Sequence, residues 1–525
     1  ITGGSGDDTV KFTDGRQWTS ADIINGGLGH DTINVLVGTN GTEALAAGSQ
    51  TGLSNIETIN IIVGGANTAN AAITTADANF AATDATINGA GVPGVLTINA
   101  AAETDSNLTI LGGTGDDILT GGTNPTKVDT ITGGLGADTI TGGRGTDILT
   151  GGAGADIFTY TATNQSNTST PDSITDFVSG TDKIAITVDL SSKVSAQTYN
   201  TTLTAAKADI TAAQNALTGV AGQLIYVTGE EALYLNDDSN NLLTSLDYKI
   251  GVNPAATATA TIAEGDINIT ITGSATASNT ITTGGGADTI TGGAAADIIV
   301  TGAGIDTISD LGTGADILST GAGADIVTNF SDTASIDTLK LGDNELGTAI
   351  TTASDDDSIT AGVDVVTDFE EAANKDTLEI DISAINAIDG VIDFVLVGNA
   401  AISVTAGASV MLADGANATD VANGANASVL MVQNGGLDSS TLETDIEAGG
   451  GAVVTTNGAF AVGDAFLIVS DSGTDSAVFL VIVGGDGATD DDTFATGELQ
   501  IVKLITLLGV ANAEDVVATN IDFVA

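Results

Sequence analysis

The 525-residue chain has no cysteine, one histidine, one tryptophan and four prolines. Without cysteine there is no disulfide staple and no thiolate chemistry. The single histidine, His30, lies at a variable position of a glycine-rich turn, so a histidine-based catalytic triad and a zinc HExxH site are both missing. There is also no Gly-x-Ser-x-Gly nucleophile turn. Positive charge is scarce: 11 Lys and Arg face 68 Asp and Glu, for a formal charge of −57. Such a polyanion has no basic surface for nucleic acid or an anionic membrane. No apolar run reaches the roughly 18–20 residues that span a bilayer, and Ala477–Val483 suits only a buried strand. Aromatics are 3% of the chain, a thin platform for sugars, and paired carboxylates are too numerous to single out a glycosidase pair. Catalysis is therefore not expected. The chain opens inside a glycine-rich repeat with no signal peptide, and we expect an anchoring or enzymatic segment upstream.

What is present is a 42% hydrophobic chain rich in Ile, Val, Thr and Ala, which argues against disorder despite the charge. β-branched and small residues suit thin, stacked strands. The length implies about two to four domains. A compact polyanion repels itself, so either its surface is simply solvated or bound cations neutralise it. The placement of the acids decides between these.

Six segments fit Gly-Gly-x-Gly-x-Asp without a mismatch: those ending at Asp8 and Asp31, then Gly112-Gly113-x-Gly115 to Asp117, Gly133-Gly134-x-Gly136 to Asp138, Gly142-Gly143-x-Gly145 to Asp147, and Gly151-Gly152-x-Gly154 to Asp156. The unit from Gly121 to Asp129 carries a three-residue insertion with Pro125. A looser array ends its units at Asp288, Asp297, Asp306, Asp316 and Asp325, with Thr, Leu or Ala replacing a glycine in each. If those positions need positive φ, the replacements are strained. Each Asp precedes a short apolar segment such as Asp138-Thr139-Ile140 or Asp147-Ile148-Leu149.

Glycine-rich turn plus short strand makes half a coil, and two units make one coil of about eighteen residues that stacks into parallel sheets on two sides. Asp138 then pairs with Asp156, Asp129 with Asp147, Asp288 with Asp306, Asp297 with Asp316, and Asp306 with Asp325. Calcium takes about six to eight oxygens from carboxylates and carbonyls, which stacked turns supply jointly. A β-helix with polar turns and no metal is the alternative, but solvated Asp has no reason to recur at the sixth place of every unit. The acids listed by number above, with their glycine turns, are the candidate calcium residues.

These arrays resemble the RTX calcium-binding β-roll of Gram-negative secreted proteins, most closely over 112–160 and 283–328. Segments after the arrays resemble the strand and loop that close such rolls: Asp172 to Phe177 with Thr181-Asp182, Val327 to Phe330 with Asp337, and Asp364 to Phe369 with Asp376. The resemblance implies export by type I secretion, folding in external calcium, and an uncleaved C-terminal export signal, for which Asn520–Ala525 is suited.

The expected fold class is all-β: parallel β-roll or β-helix arrays interspersed with further β modules and little helix. The expected organisation is 1–110 irregular β-helix, 111–163 first roll, 164–255 a β module, 256–330 second roll, 331–400 closing-motif region and 401–525 C-terminal β module. Residues 199–217 are the best helix candidate, and 223–250 and 459–525 share an order of elements that reads as caps beside a roll. The acidic loops 236–240, 355–357 and 486–492 read as solvated. Composition and arrangement are similar to RTX-containing surface-layer proteins, which implies a self-assembling lattice or filament bridged by calcium, with cell-surface polysaccharide a further candidate partner. A secreted adhesin or biofilm-matrix protein, or the calcium-binding C-terminal part of an exoenzyme or toxin, are the alternatives.

Overall fold

The computed structural model describes residues 1–341, apart from 38–44, 50–51, 65–69, 81–83, 192–196, 218–219, 237–242, 244–246, 253–261, 331–334 and 336. Beyond these it describes strands at Asp364–Thr367, Thr377–Asp381, Asp393–Phe394, Val429–Val432, Asp464–Asp471, Asp475–Val483, Leu499–Leu508 and Ile521–Val524. The described residues are nearly all strand, with one short α-helix. The chain divides into two compact units, Ile1–Val188 with Tyr199–Ile269, and Asp189–Thr198 with Thr270–Ala525.

The first unit is a parallel coil built on two long ladders. One runs through Thr9–Phe12, Thr32–Val37, Thr58–Val63, Ala85–Asn88, Leu108–Leu111, Thr130–Leu135, Ile148–Ala153 and Asp172–Ile174. The other runs through Ala71–Thr74, Leu96–Asn99, Ile118–Thr120, Thr139–Thr141, Ile157–Tyr160 and Lys183–Asp189. Alternation puts one large apolar side chain per short strand inward. Ile33, Ile59, Ile87, Ile110, Ile131, Leu149 and Ile174 form one fully buried column, and Ile73, Ile98, Leu119, Ile140, Phe158 and Ile184 the other. Burying each such side chain is worth roughly 1.5–3 kcal/mol. On the outer face Asn34, Asn60 and Asn88 join by amide hydrogen bonds of 2.9 and 3.2 Å from coil to coil.

Past the coils, Tyr248–Val252 extends the first ladder in parallel, and Ala232–Asn236 and Gln223–Val227 continue it as antiparallel strands. The sheet edge is thereby covered by a meander rather than left open. Much of the helix expected over 199–217 is strand instead: Gln197–Asn200 and Leu203–Lys207 are extended, and only Ile210–Gln214 is helical. Tyr199 and the threonines favour extended backbone, and Leu203–Lys207 pairs in parallel with Gln223–Val227. The short helix survives because the Asp209 side chain accepts from the Ala212 N–H at 2.8 Å, an N-cap.

The second unit repeats the plan. Ile267–Thr272, Thr289–Ala294, Thr307–Thr313, Ile326–Val327 and Asp364–Thr367 form one parallel ladder. Asn279–Thr282, Ile298–Val300, Ile317–Ser319, Thr338–Leu341, Thr377–Asp381 and Ile521–Val524 form the other. Here too the ladder passes into antiparallel strands, with Leu499–Leu508 parallel to Asp364–Thr367 and Asp475–Val483 and Asp464–Asp471 antiparallel beyond it. Both regions that share an order of elements in the sequence are thus ladder-ending meanders.

Candidate calcium-binding turns

The sixth-place aspartates form two columns in the first unit, one on each side of the coil. In the first column the backbone N–H of Leu96 donates to Asp117 Oδ1, that of Asp117 to Asp138 Oδ1, that of Asp138 to Asp156 Oδ1 and that of Asp156 to Asp182 Oδ1, at 2.7, 2.7, 2.9 and 3.1 Å. In the second, Leu108 donates to Asp129, Asp129 to Asp147 and Asp147 to Asp172, at 2.8, 2.8 and 2.9 Å. The second unit has the same two columns: Asp288 donates to Asp306 and Asp306 to Asp325, while Asn279 donates to Asp297, Asp297 to Asp316 and Asp316 to Asp337, all at 2.6–2.8 Å. Every coil pairing expected from the spacing is present. The isolated turns at the start also stack, with the Asp8 N–H on Asp31 Oδ1 at 2.8 Å.

In the first unit each sixth-place carboxylate also folds back beneath its own glycine turn. At Gly133 a Cβ would stand 2.2 Å from Asp138 Oδ2, so only glycine leaves room for that oxygen. Gly143 serves a different need: its φ is +102°, and a Cβ there would meet the Gly122 carbonyl oxygen at 1.8 Å. The loosened second array tests the strain expected there. In the unit Gly292 to Asp297, Ala295 occupies the third glycine position and holds φ at +136°, a conformation L side chains rarely adopt.

Electrostatically these sites are starved of positive charge. Asp31, Asp138, Asp147 and Asp297 are 0–1% exposed, and in each Oδ2 is buried without a hydrogen-bond partner. Burial, followed by the charge of neighbouring aspartates, pushes Asp138 and Asp147 up to about 7, and Asp306 rises to about 6. Asp117, Asp129, Asp156 and Asp297 are raised by the same burial against the pull of their N–H donors. An acceptor-only oxygen, buried next to like charge and lined by backbone carbonyls, fits a hard cation. Calcium would be held by the sixth-place aspartates and the turn carbonyls, where it supplies charge neutralisation; the chain's own hydrogen bonds set the coil spacing.

The closing segments act as sequence resemblance suggested. Asp172 and Asp182 take the N–H groups that the last turns present, and Asp176 accepts from Gly151 and Gly152 N–H at 2.9 and 2.8 Å. Phe177 packs on Phe158 with ring centroids 6.5 Å apart, sealing the core. In the second unit Asp337 plays the part of Asp182, and Phe330 is buried. Residues 368–376 of the third closing segment lie outside the described residues, as do the acidic loops 237–240, 355–357 and 486–492.

Glu57 belongs to this system although it ends no glycine turn. Its Oε2 accepts the Asp31 N–H at 2.6 Å, replacing an aspartate in the column. The signal was the segment Glu57-Thr-Ile-Asn60, which matches Asp31-Thr-Ile-Asn34 apart from the acid. His30 is exposed, and its backbone N–H donates to Asp7 Oδ1 at 2.8 Å.

Among the described residues no helix is long and apolar enough to cross a membrane. Residues 64–239 match the peptidase M10 serralysin C-terminal family, and 19–48, 275–308 and 310–328 match the RTX calcium-binding nonapeptide repeat. No curated protein matches the chain. Repeats of this kind are calcium-binding and typical of proteins exported by type I secretion. The repeats are matched in both units and the aspartate columns are continuous through each, so the chain carries RTX calcium-binding nonapeptide repeats, as secreted proteins of that type do.

Proposed function

We propose that this chain is a calcium-dependent structural protein of an extracellular surface layer or filament, and not an enzyme. The observation that supports this most is the recurrence of aspartate-lined coils in both compact units, each running into an antiparallel meander. The net charge of −57 gives calcium a second role, bridging acidic faces of neighbouring copies or of cell-surface polysaccharide. The sixth-place aspartates carry the ions inside each copy.

A second reading is favoured by the serralysin C-terminal match over 64–239: the calcium-binding part of a secreted enzyme or toxin whose catalytic domain is elsewhere. A secreted adhesin or biofilm-matrix protein is the third. Electron microscopy of the purified chain in millimolar calcium, then in chelator, separates them. An ordered sheet or filament that dissolves on chelation is the expected result; persistent monomers in calcium would sink the structural reading.

A further inference from the structure

The first continuous nonapeptide array begins at Gly112, but the stacked turns just before it also carry acids. Strands Ala71–Thr74, Leu96–Asn99, Ile118–Thr120 and Thr139–Thr141 pair in that order, so the turns that follow them stack. Those turns carry Asp147, then Asp129, then Glu103 and Asp105, then Asp77. Hydrogen bonds tie the outer turns together: the Thr104 N–H donates to Asp77 Oδ1 at 2.9 Å, and the Asn124 side-chain amide donates to the Thr104 carbonyl. The Thr123 N–H reaches the Glu103 carbonyl at 2.9 Å.

One carboxylate oxygen from each of Asp77, Glu103 and Asp105 lies within 4.8 Å of the others. Glu103 is only 1% exposed. Its Oε1 accepts the N–H groups of Asp105 and Ser106, both at 3.0 Å, which fixes the side chain. Its Oε2 is buried and has no hydrogen-bond partner. A carboxylate oxygen shut from water and set beside two more carboxylates is costly unless a cation completes it. Burial first, with Asp105 adding its charge, pushes Glu103 up to about 7.

We infer that Asp77, Glu103 and Asp105 form a calcium site outside the nonapeptide pattern, clamping together the two irregular turns that precede the roll. The donor set is all carboxylate, with neither imidazole nor thiolate, which selects a hard cation. Oxygens that share a calcium shell stand no more than about 5 Å apart, as these do. Asp77 is exposed and Asp105 half-buried, so one side of the site is open for water to complete the shell. No Gly-Gly-x-Gly-x-Asp turn takes part.

The test counts ions. Wild-type, E103Q, D77N and D138N chains are equilibrated with calcium, and bound metal per chain is measured by mass spectrometry after dialysis. Gln keeps an acceptor for the Asp105 and Ser106 N–H groups, so E103Q removes the charge and leaves the turn. E103Q and D77N are each expected to carry one ion fewer than wild type, and an E103Q/D77N double variant no fewer than either. D138N, which alters the roll, should leave the ion at Asp77 and Glu103 in place, so its loss adds to that of D77N. Unchanged counts in both E103Q and D77N would overturn the inference and make Glu103 a protonated acid beside Asp105. If E103Q shows no native circular dichroism, D77N decides by the same criterion, because Asp77 is exposed. The count is made on single chains, so a failure to form sheets does not bear on it.

Discussion

Replacing Asp138 with Asn should change stability in opposite directions with and without calcium. Asp138 Oδ1 accepts the Asp117 N–H at 2.7 Å, a bond the Asn carbonyl can keep. What D138N removes is the charge, whose Oδ2 is buried without a partner. In the absence of a cation that charge is a burden. Burial pushes the group from 3.8 up to about 7, and each unit corresponds to about 1.4 kcal/mol. Ionised Asp138 at pH 8 therefore weakens the calcium-free fold by up to about 4 kcal/mol. Part of this is offset because Asn makes a weaker, uncharged hydrogen bond. The expected net gain for D138N in chelator is about 1–2 kcal/mol. In calcium the sign reverses. One ion at a hundredfold excess over Kd stabilises by about 2.7 kcal/mol, and losing it outweighs the relief by about 1 kcal/mol. Urea unfolding at pH 8, followed by circular dichroism with chelator and then with millimolar calcium, reads both arms. A shift of the same sign and size in both solutions would refute the assignment of Asp138 as a ligand.

Two further expectations follow from the same geometry. Ala295→Gly relieves the φ of +136°; the strain is worth about 1–2 kcal/mol and glycine's extra unfolded-state freedom takes back about 0.5–1, so the urea midpoint should rise slightly, and a fall would show that the alanine is not strained. The calcium-free protein should be more stable at pH 5 than at pH 8. Asp138 and Asp147 have folded-state values of about 7 against an ordinary 3.8, so their protonated forms support the fold below pH 4 and that support is lost as pH rises through about 7. Melting temperatures in chelator that do not change between pH 5 and 8 would show that these carboxylates are better solvated than their burial implies.

The coil plan was legible because its signal is periodic. Asp138, Asp147 and Asp156 recur every nine residues and mark both the side of the coil and the stacking partner. The closing role of Asp172 and Asp182 was legible for a different reason, a resemblance to segments that follow such arrays. Glu57 was not legible as a column member, because its turn lacks the glycine signature and a longer acid meets the Asp31 N–H from a different backbone path. The stretch 199–217 misled because its Ala, Lys and Gln content measures local helix preference, whereas the partner strand Gln223–Val227 decides its first half. Strain at Ala295 could be anticipated only conditionally, since the sequence shows the missing glycine but not the sign of φ.

The hydrogen bonds that link the sixth-place acids from turn to turn all run one way. In each column the coil nearer the N-terminus gives the N–H and the next coil gives the carboxylate, as from Asp129 to Asp147 across 18 residues. Each stack therefore has two unlike ends, in the manner of a polar filament: a leading face of carboxylates and a trailing face of unspent donors. Only the trailing face needs a finishing piece, and Asp172, Asp182 and Asp337 provide it with an acid each. The interior has no such requirement, because every coil meets its neighbour through the same contact. Whole coils can be added or deleted between the two ends without redesigning either, which makes the length of the roll an easily varied property of the gene while its terminus stays fixed.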